Sequence, residues 1–342
     1  MNTVLKSFVI ISMLCIALSA QAQSAADKLY TQGQQLQLTR TVSAQKQAIA
    51  KFSAAKKAYD SKEKKAMCDR QIQICHKNIK ALGPTPNPKP KPKPNPTPKN
   101  EPPKVGAIST ANGMLFKIGN VSFEMVRVEG GTFTMGATSE QGSDANGDEK
   151  PTHQVTLPSY YIGKTEVTQA LWQAVMGNNP SNFKGTNLPV ECVSWDDCQT
   201  FIRKLNALTG KNFRLPTEAE WEFAARGGNN SRGYKYSGSN TLSNVAWYGD
   251  KSSDKTHPVA TKAYNELGIY DMTGNVWEWC NDWYDDYSSS SQYNPTGPNS
   301  GSYRVCRGGS WDCGAGGCRV SYRGYGSPSF RRSDGLGLRL AL

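Results

Sequence analysis

Histidine is scarce in this sequence, and its scarcity restricts the metal chemistry that the chain can support. Only three histidines occur among the 342 residues, and two of them, His153 and His257, lie beyond residue 105. A site of three histidine ligands therefore cannot be built from that part of the chain alone. The sequence also lacks a P-loop, a Rossmann glycine pattern and a Ser-His-Asp order, so the common nucleotide-binding and hydrolase motifs are excluded.

Long apolar runs are missing as well, with one exception at the start. Phe8 to Leu18 form an apolar stretch that is too short to span a bilayer. Lys6 precedes this stretch and Ala20-Gln-Ala22 follows it as a cleavage site, which is the pattern of a secretory signal peptide. We therefore predict a signal peptide over residues 1–22, no transmembrane segment, and export to the periplasm, the cell envelope or the medium.

Acidic residues are scarce in the first third of the chain. Between Gln23 and Val105, 17 lysines and arginines stand against 5 acidic residues, whereas the remainder from Gly106 has 22 against 23. The basic excess therefore belongs to the N-terminal part. Few aromatic residues accompany its lysines, so we predict a solvated helix face and a linker, and no nucleic-acid partner.

Proline is absent from residues 24–82, and the apolar residues there recur at intervals of three and four. This spacing is typical of an amphipathic helix, and it is carried by Ile49, Phe52, Ala55 and Tyr59. Ser61 is a candidate N-cap for a second helix that ends near Leu82. Residues 23–83 thus predict a small helical segment, weakly similar to one tetratricopeptide-like unit, that needs a protein partner or a second copy for stability.

Residues 84–105 alternate proline with lysine and other polar residues. This composition favours the extended polyproline II conformation, and about 3.1 Å per residue gives a spacer roughly 60 Å long. We therefore predict a linker that separates the helical segment from a C-terminal domain of residues 106–342.

Removal of the signal peptide eliminates Cys15 and leaves eight cysteines. An even number in an exported protein favours disulfide bonds, whose pairing cannot be derived from the sequence. Two of the eight, Cys68 and Cys75, are about 10 Å apart along a straight helix, which is too far for a bond between them. The other six are Cys192, Cys198, Cys280, Cys306, Cys313 and Cys318.

Cys313 and Cys318 enclose the sequence Gly-Ala-Gly-Gly, whose three glycines let the backbone bend freely. Such a loop can bring two thiols face to face. The pair is then a structural disulfide, a redox pair, or two ligands for a soft metal such as Cu(I). The choice among these alternatives decides whether the protein is an enzyme.

The composition changes after residue 113, where all eight tryptophans and many glycines occur. Runs of β-forming residues predict short strands at Met125–Val128 and Gln154–Leu157. Helical periodicity predicts helices at Thr165–Met176 and Ser194–Leu208. Thr217 followed by Glu220 is a capping box that opens a third helix. These patterns predict one α+β domain with irregular loops, large enough for a hydrophobic core.

Eight motifs follow one another along the C-terminal domain. They are Met125-Val-Arg-Val-Glu-Gly-Gly-Thr-Phe-Thr-Met-Gly136, Glu166-Val-Thr168, Pro189-Val190, Val193-Ser-Trp195, Arg214-Leu-Pro-Thr-Glu-Ala-Glu-Trp-Glu222, Gly268-Ile-Tyr-Asp-Met-Thr-Gly-Asn-Val-Trp-Glu-Trp279, Arg307-Gly-Gly-Ser-Trp311 and Gly337-Leu-Arg339. In this order they resemble the formylglycine-generating enzyme, or sulfatase-modifying factor, family. The resemblance implies a C-type-lectin-like fold with little regular secondary structure and with tryptophans in its core.

The resemblance also implies roles for three residues near the C-terminus. Cys313 and Cys318 fall on the two thiol positions at which the enzymes of the family bind Cu(I), and Ser310 falls on their active-site serine. Those enzymes use copper and molecular oxygen to oxidise a substrate cysteine, in a C-x-P-x-R context, to formylglycine. The resemblance thus implies a copper-dependent oxidase whose partner is a cysteine-containing protein or peptide.

A second hypothesis stays open, because the residues between and after the two thiols differ from those of the enzymes. It is a non-catalytic, lectin-like binding or assembly module at the cell envelope, with a structural disulfide between Cys313 and Cys318. Iron chemistry is disfavoured, since the sulfoxide synthases that share this fold use three histidines.

The resemblance further implies calcium. Its ligands would be the Asp271 side chain, the carbonyls of Gly274 and Val276, and the Glu278 carboxylate, all hard oxygen donors of the kind that Ca2+ prefers. A second family site would begin at Asn244 and Val245, but its other ligands do not align with this sequence.

Overall fold

The computed structural model describes residues 26, 29–30, 32, 42–59, 61–81, 105–330 and 333–342, and the chain divides into two compact units, Met1–Pro98 and Lys99–Leu342. The predicted signal peptide and the predicted linker up to residue 104 lie outside the described residues. No helix in the described ranges combines the length and the apolar character needed to cross a membrane.

Two helices make up most of the described N-terminal unit: α1, Val42–Ala58, and α2, Lys62–Ala81. Ser61 precedes α2, and its Oγ accepts a hydrogen bond from the Lys64 N–H at 3.4 Å, as expected of an N-cap. The helical segment that the sequence predicts is therefore present.

Small and aromatic side chains fill the contact between α1 and α2. Cys68 is buried in a cluster with Ala55, and Cys75 is buried in a second cluster with Phe52. Because a spacing of seven returns to the same side of a helix, both thiols face α1.

The C-terminal unit opens with a four-stranded antiparallel sheet in the order β1-β2-β3-β6. Its strands are β1 Val105–Thr110, β2 Gly113–Ile118, β3 Val121–Val128 and β6 Tyr160–Gly163. The strand predicted at Met125–Val128 is confirmed as the second half of β3, which pairs with β6.

Two further sheets complete the strand framework. One has the order β4-β5-β8, with β4 Gly131–Met135, β5 His153–Leu157 and β8 Gln292–Tyr293. The other has the order β10-β9-β7-β11, with β7 Trp277–Trp283, β9 Arg304–Arg307, β10 Arg323–Gly326 and β11 Leu336–Gly337. The predicted strand at Gln154–Leu157 is confirmed within β5, and β10 lies at the edge of its sheet.

Among the described residues of this unit, four α-helices accompany the sheets: α3 Gln169–Met176, α4 Trp195–Thr209, α5 Glu218–Ala225 and α6 Leu242–Val245. The helix predicted from Thr165 begins four residues later, because Thr168 caps it by accepting the Leu171 N–H at 3.2 Å. The capping box predicted at the start of α5 is confirmed, since Thr217 Oγ1 accepts the Glu220 N–H and the Glu220 carboxylate accepts the Thr217 N–H.

Two apolar clusters form the core of this unit. The first lies between the first sheet and helices α3 and α4, where the rings of Trp172 and Phe201 stack with centroids 4.9 Å apart. The second surrounds Trp221 of α5, which is fully buried. Both clusters contain tryptophan, as the resemblance implies.

Buried arginines connect the last forty residues to the middle of the unit. Each pairs with a buried carboxylate: Arg307 with Glu222, Arg319 with Glu149, Arg323 with Glu218, and Arg339 with Glu278. Ala341 adds backbone contacts, because it forms antiparallel bridges with both Ile162 and Arg214. The C-terminal segment is thus an integral part of the core.

Candidate functional site

The loop that follows β9 brings the two candidate thiols together. Cys313 precedes a short 3-10 turn, Ala315–Cys318, which ends at Cys318, and both cysteines contribute to one apolar cluster. The cluster also contains Tyr236, Leu242, Val245, Ala246 and Tyr248. A Cβ on Gly309 would lie 2.8 Å from Cys318 Sγ, so only glycine lets this backbone pass the thiol.

Ser310 lies beside the more accessible thiol. Its Oγ is 3.2 Å from Cys313 Sγ and donates a hydrogen bond to Asp312 Oδ1. Ser310 itself is buried. The structure therefore places the three residues singled out in the sequence, Ser310, Cys313 and Cys318, in one small site, with Asp312 as an orienting acceptor for the serine.

The two thiols differ in their surroundings. Cys313 is half-buried, whereas Cys318 is fully buried. Burial raises the pKa of the Cys318 thiol above its ordinary value, and nearby Cys313 and Asp312 raise it further. Cys318 is therefore a neutral thiol at pH 7 unless a cation replaces its proton.

The donor set at this site fits a soft, two-coordinate cation. Each of the six cysteines from Cys192 onward carries a free thiol in the structure, so both members of the pair are available as ligands. Within the described ranges, no cluster of three or more His, Cys, Asp or Glu side chains could hold a metal ion. Thiol sulfurs are soft donors of the kind that Cu(I) accepts.

Two cavities of the C-terminal unit lie away from the thiols. One, of about 490 Å3, is lined by residues of β3, α3 and neighbouring loops. The other, of about 300 Å3, is lined by residues such as His153, Asp282 and Tyr287. Neither Cys313 nor Cys318 lines either cavity.

Several aromatic side chains lie together on a surface that the sequence patterns did not predict. We call it the aromatic surface, and it consists of Trp195, Trp283, Tyr284, Tyr303, Arg304 and Tyr325. The Tyr325 ring lies 4.6 Å from that of Tyr284 and 5.2 Å from that of Tyr303, measured between centroids. Tyr303 and Tyr325 are 47% and 56% exposed. The two tryptophans of this surface are half-exposed, and Trp195 also packs against the first core cluster.

The aromatic surface is held in place by polar contacts. The guanidinium of Arg304 lies between two indole rings, 3.9 Å from the Trp195 centroid and 3.5 Å from that of Trp283. The Tyr284 hydroxyl donates to Asp148 Oδ2 at 2.6 Å. These contacts fix the rings before any partner arrives.

Strand β10 joins the aromatic surface to the thiol site. Tyr325 belongs to β10, and Tyr322, just before it, packs on Trp277 with centroids 5.8 Å apart. Burial raises the pKa of Tyr322, with Asp148 and then Cys313 as further causes. The segment from Cys313 to Tyr325 therefore contains residues of both the thiol site and the aromatic surface.

The implied calcium ligands Asp271, Gly274, Val276 and Glu278 form a tight, buried turn. Asp271 and Gly274 have positive φ angles of 56° and 77°. Asp271 Oδ2 accepts the Ala260 N–H at 2.7 Å, and burial raises the pKa of Asp271 to about 6. The Val276 N–H is donated to Glu166 Oε1 at 3.2 Å.

Glu278 does not fit a calcium ligand in this arrangement. Its Oε1 accepts hydrogen bonds from Nε and Nη2 of Arg339 at 3.0 and 2.7 Å, and its Oε2 accepts from Arg339 Nε and Trp221 Nε1 at 2.9 and 2.7 Å. A buried guanidinium thus supplies the positive charge that a cation would bring. Calcium would have to displace Arg339.

Asn244 and Val245, at which the implied second calcium site would begin, also make contacts within the protein. Asn244 and Val245 lie on α6, where the Asn244 carbonyl accepts the Ala263 N–H at 3.0 Å. The Val245 side chain packs in the apolar cluster of the thiols. These two residues therefore support α6 and the thiol site.

Comparison with protein families gives one match over most of the C-terminal unit. A family described as the sulfatase-modifying factor enzyme 1-like domain matches residues 119–342. This span is more than half of the chain and includes the thiol site and the aromatic surface.

Several curated proteins are similar in sequence. A protein named chaperone protein LppX from Paenibacillus barcinonensis is 37% identical, over 60% of this chain and 84% of that protein. A formylglycine-generating enzyme from Streptomyces coelicolor is 33% identical, over 63% and 88%. An inactive C-alpha-formylglycine-generating enzyme 2 from Bos taurus is 29% identical, over 70% and 95%. Active and inactive proteins thus resemble this chain.

Solved structures have the same fold. Treponema denticola variable protein 1 superposes with a TM-score of 0.60 and 38% sequence identity, over 68% of this chain and 99% of that one. PvdO from Pseudomonas aeruginosa superposes with a TM-score of 0.56 and 26% identity, over 68% and 99%.

Proposed function

Because the chain belongs to the sulfatase-modifying factor enzyme 1-like family, we propose that its C-terminal unit recognises a polypeptide through the aromatic surface. The observation that carries this proposal is the contact of Tyr325 with both Tyr284 and Tyr303 on an exposed face. Single exposed rings are common, but several in mutual contact are typical of a binding site.

The composition of the aromatic surface favours a polypeptide ligand. Tyrosine, tryptophan and arginine are the residues enriched where protein partners bind most strongly. All six residues of the surface belong to these three types. Tyrosine also adds contact area at a low entropy cost, because it has few rotatable bonds.

The position of the surface supports the same ligand class. Tyr325 lies on β10, one of the two edge strands of its sheet. An edge strand offers backbone N–H and C=O groups to an extended peptide, and neighbouring side chains then select its sequence. A saccharide would use the rings but not this edge.

Peptide selection tests the proposal. Immobilised full-length protein is screened against a phage-displayed random peptide library, and the selected peptides are measured by fluorescence anisotropy. Replacing Tyr303 and Tyr325 together by serine should weaken binding at least about tenfold, since each buried aromatic anchor contributes about 1 kcal/mol or more.

Two exposed tyrosines outside the aromatic surface provide the matched control. Tyr264 and Tyr293 are 59% and 75% exposed, and their double serine variant should bind the selected peptides as wild type does. Equal losses in the two double variants, or no loss in either, would contradict the proposal.

Thiol oxidation of a bound polypeptide is the second candidate function. The observation that favours it is the 3.2 Å contact between Ser310 Oγ and Cys313 Sγ, with Cys318 in the same cluster. Cys313 and Cys318 would hold Cu(I), which when bound supplies the activation of molecular oxygen. With its proton donated to Asp312, which fixes its orientation, the Ser310 hydroxyl would act as a hydrogen-bond acceptor next to Cys313.

The net reaction fixes what such an oxidation consumes. A substrate cysteine loses its sulfur as hydrogen sulfide, and its β-carbon becomes an aldehyde. One atom of molecular oxygen enters that aldehyde and the other leaves as water. The two further electrons and two protons come from two external thiols that become a disulfide. Polypeptide recognition is common to this reaction and to a purely binding role.

Copper titration and product analysis separate the two roles. The control is Cys192→Ser, which removes a half-buried thiol outside the site. Wild type and this control should each bind one Cu(I) at the site and convert the cysteine of a substrate peptide to an aldehyde, which a hydrazide captures. Cys318→Ser should do neither. If wild type and Cys318→Ser form no aldehyde while the selected peptides still bind, the C-terminal unit is a binding module.

A further inference from the structure

The N-terminal unit carries a strong positive charge that the proposed function does not use. Helices α1 and α2 contain 10 lysines and arginines but only 2 acidic residues, Glu63 and Asp69. Asp69 is already neutralised, since its Oδ1 lies 2.6 Å from Lys56 Nζ. The helical pair therefore presents a large excess of cations.

Cations and apolar side chains share one exposed side of α2. We call this side the outer face; four exposed residues at intervals of three, four and three form it, namely Met67, Arg70, Ile74 and Lys77. Met67 and Ile74 are large hydrophobic residues left exposed by the packing of the two helices. The buried Cys68 and Cys75 point the other way, toward α1.

Such a face matches the surface of an anionic lipid bilayer. Its apolar side chains can enter the boundary between headgroups and acyl chains, while lysine and arginine extend to the phosphates. Each cation near an anionic membrane raises affinity by a factor of about five. A nucleic acid is less well matched, because the outer face has no aromatic ring on which a base could stack.

We infer that the outer face of α2 binds the surface of an anionic phospholipid bilayer and thereby holds the protein at a membrane without crossing it. Charge complementarity and the exposed Met67 and Ile74 both point to this partner. Binding at this face is reversible and depends on ionic strength, because it rests on electrostatic attraction and on shallow insertion of two apolar side chains.

Vesicle sedimentation tests this inference. Full-length protein is mixed with vesicles of phosphatidylcholine alone, or of phosphatidylcholine with phosphatidylglycerol. It should sediment with the anionic vesicles, remain in the supernatant with the neutral ones, and be released by high salt. Replacing Arg70 and Lys77 together by glutamine should lower the partition coefficient about thirtyfold, from a factor of about five for each charge.

Two matched variants separate the outer face from net charge. Lys46 and Lys57 are exposed on α1, and their double glutamine variant loses the same charge but should keep the partition coefficient within about threefold of wild type. Replacing Met67 and Ile74 by serine keeps all charges and should still weaken binding. Far-UV circular dichroism checks that every variant is folded.

Four results would overturn the inference. They are equal losses in the two charge variants, equal binding to neutral and anionic vesicles, release of the protein by free glycerol phosphate, and tighter binding to duplex DNA than to anionic vesicles. The first would indicate non-specific attraction, the third a site for soluble phosphate, and the fourth a nucleic-acid surface.

Discussion

Arg339 holds both carboxylate oxygens of Glu278 inside the core, with Nη2–Oε1 at 2.7 Å and Nε–Oε2 at 2.9 Å. Both side chains are almost completely buried. Arg339 also donates to the carbonyls of Gly163 and Tyr270 at 2.8 Å each. One guanidinium thus joins the first sheet, the turn before β7 and the C-terminal segment.

Replacing Arg339 by alanine should cost about 3–5 kcal/mol of unfolding free energy, because Glu278 would remain buried without a counter-charge. Urea denaturation measures the loss. The matched control is Lys164→Ala, which breaks the partly exposed pair with Glu124 and should cost less than about 1 kcal/mol. Similar losses in the two variants would show that burial does not set the cost of the Arg339 change.

Added calcium should not stabilise the wild-type protein, because Arg339 saturates the Glu278 carboxylate. Melting temperatures with calcium and with a chelator should agree. A clear rise with calcium would mean that the ion displaces Arg339, and the Glu278→Gln variant would then lose the rise.

Alkylation should distinguish the two thiols of the site. In native, reduced protein, Cys313 should react with iodoacetamide at least about tenfold faster than Cys318, because burial excludes the reagent and raises the pKa of the Cys318 thiol. Peptide mass spectrometry measures both rates. If neither thiol reacts before reduction and both react after it, the pair is a structural disulfide.

Gly274 should tolerate alanine poorly. A Cβ there would lie 2.3 Å from the Trp247 carbonyl oxygen, and its φ is +77°. Gly274→Ala should therefore cost about 3 kcal/mol or more, from backbone strain and overpacking together. Gly177 is the matched control, because it has a similar φ of +81° but open space around its Cβ position. Gly177→Ala therefore measures the backbone strain alone and should cost only about 1 kcal/mol. Equal costs would mean that the contact with Trp247 relaxes.

Asp282 should make stability fall as pH rises. Burial, and secondarily the charge of Glu218, raises the pKa of Asp282 to about 8. Between about pH 4 and that value the unfolded chain releases a proton that the folded protein keeps, so ionisation favours unfolding by up to about 1.4 kcal/mol per pH unit. Asp282→Asn should flatten this slope while keeping an acceptor for the Glu218 N–H. Urea midpoints from about pH 5 to 8 measure both slopes.

Local patterns in the sequence predicted the local structure well. Thr217 with Glu220, and Ser61 before α2, act through contacts within three residues, so their side-chain chemistry alone indicates where the helices begin. The long C-terminal motifs predicted the fold in the same way, because they are specific to one family.

Contacts between distant residues were not predictable in this way. Glu278 was expected to bind calcium, and nothing near it in sequence indicates that Arg339, 61 positions later, saturates its oxygens. The aromatic surface was missed for the same reason, since Tyr284, Tyr303 and Tyr325 meet only when β7, β9 and β10 align. Such clusters depend on topology rather than on local spacing.

Because Ala341 forms bridges with Ile162 and Arg214, the C-terminal unit can complete its fold only after its last residues have been synthesised. A chain made from its N-terminus exposes the apolar partners of residues 336–342 long before those residues exist. The C-terminal unit therefore cannot mature stepwise during translation. Until residues 336–342 have been made, the apolar surface that they cover remains exposed, and the unfinished unit is prone to aggregate.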